Sequence, residues 1–182
     1  MESRAKFLGH SLHQMMIVFP LGLLVTSVLF DVAGALSSSA EMYRVAYWMI
    51  AVGVVSGLLA AVTGWIDWGA IPTGTRAKAV GLSHGLANTV MIAAFGLSWW
   101  IRYSTNPSSP SVLAIVLSFL ALGIGLFAAW LGGELVNRLG VGVDNGAHLN
   151  APSSLSGKPA TDTPLPLVES ASSAPSQTES HA

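Results

Sequence analysis

Gly9-His10-Ser11-Leu12-His13-Gln14-Met15-Met16-Ile17-Val18-Phe19-Pro20 begins polar and runs straight into an apolar segment. That segment continues to Leu36 and is interrupted by one charge, Asp31. A helix of about 20 apolar residues crosses a hydrocarbon core about 30 Å thick. The stretch therefore opens a membrane-spanning helix over about residues 12–36. Ala33-Gly34-Ala35 could be read as the cleavage site of a signal peptide. The apolar region of a signal is only about 7–15 residues long, so a retained helix is expected.

Three further apolar runs follow at about 45–66, 80–101 and 112–131. Polar turns separate them: Ser37 to Glu41, Gly69 to Lys78, and Asn106-Pro107-Ser108-Ser109-Pro110. Trp99-Trp100 followed by Arg102 has the aromatic and basic character of an interfacial anchor. The expected fold is all-α, an up-down-up-down membrane four-helix bundle. Only 9% of the 182 residues are charged, against 52% hydrophobic. A soluble domain, with roughly 25% charged residues, would need a polar surface that this chain lacks. A net charge of −1 gives no electrostatic footprint for nucleic acid. Absence of cysteine excludes disulfides, thiol catalysis, iron–sulfur ligation and zinc–thiolate sites.

Arg4, Lys6, Arg76, Lys78 and Arg138 flank one side of the spans, and Arg44 and Arg102 flank the other. The excess marks the cytoplasmic side, so both termini are expected inside a bacterial inner membrane. From Asp144 the composition turns to Ser, Pro, Thr and Ala, too poor in apolar residues to offset the entropy of ordering. A transmembrane domain is expected over 1–143 and a disordered tail over 144–182, with His148 and His181 as solvated residues on the tail.

Small residues four apart suggest ridges for close helix packing: Gly53, Gly57 and Ala61; Ala121, Gly125, Ala129 and Gly133; and the shorter Gly81 and Gly85. Packing within one bundle is favoured over a homodimer seam. Pro20 should kink the first helix and free a carbonyl near its cytoplasmic end. The two hairpins share a faint likeness. Odd helices begin with histidine (His10 and His13, or His84), and even helices end in tryptophan followed by an acid (Trp65 and Asp67, or Trp130 and Glu134). Two parallel repeats would produce this pattern.

The remaining polar residues gather near the cytoplasmic end. His10 and His13 start the first span, Asp67 ends the second, His84 and Asn88 start the third, and Glu134 ends the fourth. Intramembrane ionisable groups are costly and tend to face the bundle interior. Imidazoles suit transition metals, and two of them on different helices can be axial ligands to a haem iron. Asp67 and Glu134 would then orient the ring N–H groups. Each residue also has a plainer role: His10 and His13 hydrated by headgroups, Asp67 closing its helix, Glu134 paired with Arg138. Asp31, near the outer end, has Arg44 or Arg102 as partner.

Gly9-His10-Ser11-Leu12-His13, Phe19-Pro20-Leu21-Gly22-Leu23-Leu24, Gly64-Trp65-Ile66-Asp67-Trp68, Ile71-Pro72-Thr73-Gly74-Thr75-Arg76-Ala77 and Gly132-Gly133-Glu134-Leu135-Val136 through Gly140-Val141-Gly142-Val143 stand in this order. Together they resemble the bacterial membrane family called domain of unknown function 2231, over about residues 9–143. The family pattern has proline after each of the first two histidines, where this chain has Ser11 and Gln14. It often has histidine where Val18 and Leu139 stand. The resemblance implies a cytoplasmic-side histidine cluster, of which His10, His13 and His84 are retained, and it carries no settled activity.

Three functions follow. The first is binding of a b-type haem or transition metal by His10, His13 and His84, with Asp67, Asn88 and Glu134 behind them, for electron transfer at the inner face. The second is a non-catalytic structural or assembly subunit of a membrane complex, alone or as a homo-oligomer. The third is a small transporter or proton pathway through His84, Asp67 and Glu134, ranked last because four short helices leave little room for alternating access. No phosphate loop, nucleophile–base pair or nucleotide fingerprint is present. No enzymatic activity is assigned, and the partner expected is the lipid bilayer.

Overall fold

The computed structural model describes residues 1–162. The chain divides after Asp144 into two units, Met1–Asp144 and a second whose described residues are 145–162. Within the described part of the second unit, the regular structure is one 3-10 turn, Ser154–Ser156. His181 lies outside the described residues.

The first unit opens with a two-stranded antiparallel hairpin, β1 Lys6–Phe7 and β2 His10–Ser11. Five helices follow: α1 Leu12–Met16, α2 Val18–Ser37, α3 Ala40–Ala70, α4 Arg76–Ser104 and α5 Val112–Gly133. A π-helical turn, Glu134–Arg138, continues α5. Four segments are long and apolar enough to cross a membrane: Leu12–Ser37, Ala40–Ala70, Arg76–Ser104 and Val112–Arg138. All are longer than the apolar runs alone, because polar residues such as Glu41, Arg44 and Arg76 join the helical ends.

Pro20 explains the break between α1 and α2. Without an N–H it cannot bond the carbonyl four residues back, at Met16, which is where α1 ends. The chain stays helical in direction, since Ile17 N bonds His13 O and Leu21 N bonds Ile17 O.

Side chains facing away from the bundle are apolar. Leu29, Val55, Leu97 and Leu120 each lie in mid-helix with at least half of their surface exposed. A soluble helix places its charges there, so the outer surface has the chemistry of a lipid-facing one. The buried core holds Leu24, Val28, Ile50, Phe95 and Ala121. Packing is closest within the pairs α2–α3 and α4–α5, lighter between α3 and α4, and lighter still between α2 and α5. The first unit is thus two helical hairpins laid together.

The small-residue ridges are real but run differently from the expected four-residue steps. The buried or close-packed positions are Gly53, Gly57, Ala60 and Gly64 in α3, and Ala121, Gly125, Ala128 and Gly132 in α5. Steps of four overshoot a 3.6-residue turn by about 40° each. A step of three restores the face, so Ala60 and Ala128 take the places expected of Ala61 and Ala129, and Gly132 that of Gly133.

The two ridges match position for position, 68 residues apart: Gly53 with Ala121, Gly57 with Gly125, Ala60 with Ala128, Gly64 with Gly132. Ala46 and Ala114, and Ile50 and Ser118, extend the match, and all four are fully buried. The odd helices match at 71 residues: His13 with His84, Leu24 with Phe95, Ser27 with Ser98, Asp31 with Arg102. The hairpins are therefore approximate parallel repeats. Tryptophan and acid, which suggested the repeat in the sequence, are not at equivalent positions: 68 residues beyond Trp65 stands Gly133, and beyond Asp67, Leu135.

Asp31 finds Arg102, not Arg44, which bonds Glu41 instead. The pair is bidentate, with Nη1–Oδ1 and Nη2–Oδ2 both 2.7 Å and both side chains 0% exposed. Arg102 Nε and Nη2 also donate to Ser98 and Ser118 Oγ at 3.3 Å. Partners at equivalent positions meet where the two hairpins face each other, which ties hairpin to hairpin. Leaving one charge buried alone should destabilise by about 3–5 kcal/mol. Asp31→Ala and Arg102→Ala should each lower the unfolding midpoint in detergent strongly. The charge swap Asp31→Arg with Arg102→Asp should recover most of the loss, but not all, because Ile50 stands where Ser118 serves the native arginine.

Candidate histidine site

His13 is carried into the bundle by the short helix α1. Its Nδ1 lies 2.9 Å from Ala60 O of α3. A carbonyl accepts but cannot donate, so Nδ1 carries a proton, and in the neutral ring Nε2 then keeps its lone pair. One turn beyond Ala60, Gly64 supplies the space. A Cβ there would stand 2.9 Å from His13 Cε1.

His84 on α4 repeats the arrangement. Its Nδ1 lies 2.8 Å from Ala128 O, and a Cβ on Gly132 would stand 3.2 Å from its Cε1. Ala128 and Gly132 are the counterparts of Ala60 and Gly64. The two imidazoles face each other across the hairpin interface, ring centres 6.4 Å apart and planes at 88°. Both are half-buried. Asn88 departs from the repeat: its amide nitrogen is 2.9 Å from His84 O and 3.2 Å from His84 Nε2, whereas the corresponding residue after His13 is the apolar Ile17.

The other expected members do not join the pair. His10 lies on β2, exposed, opposite Phe7. Asp67 accepts from Ser3 Oγ at 2.7–2.8 Å and from the backbone N–H groups of Arg4 and Ala5 at 2.8 and 3.1 Å. Glu134 pairs with Arg76 at 2.7 Å, across from α4, in place of the expected Arg138. Among the described residues no three His, Asp or Glu side chains are arranged to hold a metal ion. Backbone carbonyls, rather than carboxylates, fix the imidazoles.

The same contacts seal this end of the bundle. Gly142 N bonds Met1 O at 2.9 Å, and a Cβ on Gly142, whose φ is +80°, would run into Gln14. Lys6 bridges Asp144 at 2.6 Å and Glu2 at 2.8 Å. Those two hydrogen bonds, Asp144 first, hold the Lys6 ammonium above the ordinary lysine pKa. Lys78 lies over the Trp68 ring and bonds Trp68 O, while Trp68 Nε1 donates to Lys78 O.

The segments used in these contacts include those that carried the sequence resemblance, and the family model for domain of unknown function 2231, described as predicted membrane protein, matches residues 9–145. The chain belongs to this family. Comparison with curated proteins and with solved structures gives no match.

Sequence reasoning missed Ala60, Gly64, Ala128 and Gly132, the groups that hold the imidazoles. The signal was present as the repeated four-three-four spacing at an offset of 68. Nitrogen-15 spectra of histidine-labelled protein should show a proton on Nδ1 of both His13 and His84, hydrogen-bonded to a carbonyl. Gly64→Ala should displace the His13 ring and remove that signature from His13 while leaving His84 unchanged.

Proposed function

We propose that this is a multi-pass protein of the bacterial inner membrane, with both termini cytoplasmic, that holds one b-type haem between His13 and His84 for electron transfer. The carrying observation is the pair itself: two imidazoles at equivalent positions of two repeats, ring centres 6.4 Å apart, each with Nδ1 held by a carbonyl, so that Nε2 would be the ligating nitrogen once Asn88 releases that of His84. A free divalent ion in such a site would draw three or four protein ligands, and only two converge here. Haem brings its own four in-plane nitrogens and asks for two axial donors. His13 and His84, on different helices with ring centres 6.4 Å apart, would supply them. The orientation rests on Arg4, Lys6, Arg76, Lys78 and Arg138 against Arg44 alone, since Arg102 is buried in its ion pair and no longer counts as a loop cation.

The assembly-subunit reading draws on a different observation: Asp67 and Glu134 are both consumed in intramolecular contacts that close the bundle end. Purified full-length protein, titrated with haemin in mild detergent, separates the two. The haem reading expects a Soret band with bis-imidazole character, lost in His13→Ala and in His84→Ala and kept in His10→Ala. A preparation that stays colourless and metal-free with added haemin supports the assembly role instead.

A further inference from the structure

The β1–β2 hairpin ends in a turn that is hard to explain in water. Leu8 and Gly9 occupy it with φ of +50° and +84°. Two successive residues at positive φ make the tight hairpin turn that favours Asn-Gly or Asp-Gly. A leucine there strains its backbone, because its Cβ crowds the following carbonyl. Phe7 and Leu8 are also 54% and 61% exposed. The tip thus combines a strained backbone with two unburied large apolar side chains.

The base of the hairpin, by contrast, is firmly held. Ala5 O accepts from Leu12 N at 2.7 Å, and Ser3, Arg4 and Ala5 all bond Asp67 at the end of α3. The tip is therefore presented in a fixed position beside the helix ends. Exposed apolar side chains resume directly along the chain at Met15, Ile17, Val18 and Phe19, the first turns of the lipid-facing surface. The four steps from Leu8 to Leu12 reach at most about 14 Å, while the polar region on each side of a bilayer is about 5–8 Å thick. The tip cannot stand far from the membrane. Exposed Arg4 and Arg138 lie at the same end of the bundle, suited to lipid phosphates.

We infer that the hairpin is an interfacial anchor, with Phe7 and Leu8 seated at the headgroup–acyl boundary of the adjoining leaflet. The occupant of this apolar tip is phospholipid. By fixing the chain just before Leu12, the anchor sets the depth at which α1 enters the bilayer. It stands apart from the cofactor reading and holds whether or not the histidines bind anything.

The chain has no cysteine, so single-cysteine variants report one position each. Leu8→Cys, and separately Phe7→Cys, would be spin-labelled in the full chain and reconstituted in vesicles of phosphatidylethanolamine and phosphatidylglycerol. Ser109→Cys, in the exposed turn before α5, is the aqueous reference. The anchor expects collisions with oxygen to exceed those with a water-soluble nickel chelate by several-fold more at both tip positions than at Ser109. Equal accessibility to the chelate at the tip and at Ser109 would overturn it. So would shielding from both reagents, which would place the tip against protein.

Discussion

A bilayer offers no water to a polar group, so each one buried inside it must find its partner in the protein. That constraint decides where nearly every polar side chain of this bundle sits. Asp31 and Arg102 neutralise each other and draw in Ser98 and Ser118. Ser27, Ser56 and Thr63 return their hydroxyls to carbonyls of their own helices. His13 and His84 each donate to a carbonyl of the other helix in their hairpin. Among the described residues, one buried side-chain polar atom lacks a partner, Trp99 Nε1, on a ring stacked between Tyr47 and Tyr103.

Satisfying these groups requires close backbones, and the small residues supply them. Ala60 and Ala128 can offer their carbonyls because no side chain of theirs intervenes, and Gly64 and Gly132 let an imidazole lie against the helix. The ridge thus serves packing and site together. Lipid supplies no hydrophobic drive to hold the helices side by side, so contact of this kind and polar pairing must do so. The same logic explains the sealed end, where Asp67 and Glu134 hold the N-terminal segment and α4 rather than a ligand.

The four spans were legible from charge avoidance and length alone, because lipid imposes so coarse a rule on composition. The choice of Arg102 over Arg44 was not. Both lie near the same end of the apolar runs as Asp31, but only Arg102 is at the position equivalent to Asp31, and equivalence depends on the pairing register of two hairpins. The histidine site was legible in part. Depth along the helices grouped His10, His13, His84, Asp67 and Glu134 correctly at one end, but depth carries no information about azimuth or about the local strand. A two-residue β-bridge moved His10 outward, and a loop-borne Ser3 reached Asp67 across more than sixty residues of sequence. Carbonyl partners could not be read at all, since every residue has one.

Duplication places a residue and its counterpart face to face wherever the two hairpins meet, and the two ends resolve that encounter in opposite ways. Identical charges at the position of Asp31 and Arg102 would repel in a medium of low dielectric, so a pair of aspartates or of arginines there would be untenable. There the two repeats differ, and one acid meets one base. At the opposite end the paired residues are identical, His13 and His84. Two imidazoles do not demand such a difference, because each donates its Nδ1 proton to a carbonyl within its own hairpin. The rings meet with their planes at 88°, an edge-to-face arrangement that aromatic rings favour. Asn88 offers its amide nitrogen to one of them, His84, while the equivalent position beside His13 is isoleucine. The symmetry of the pair thus rests on the two carbonyls and two glycines that hold the rings, and it is broken at Asn88.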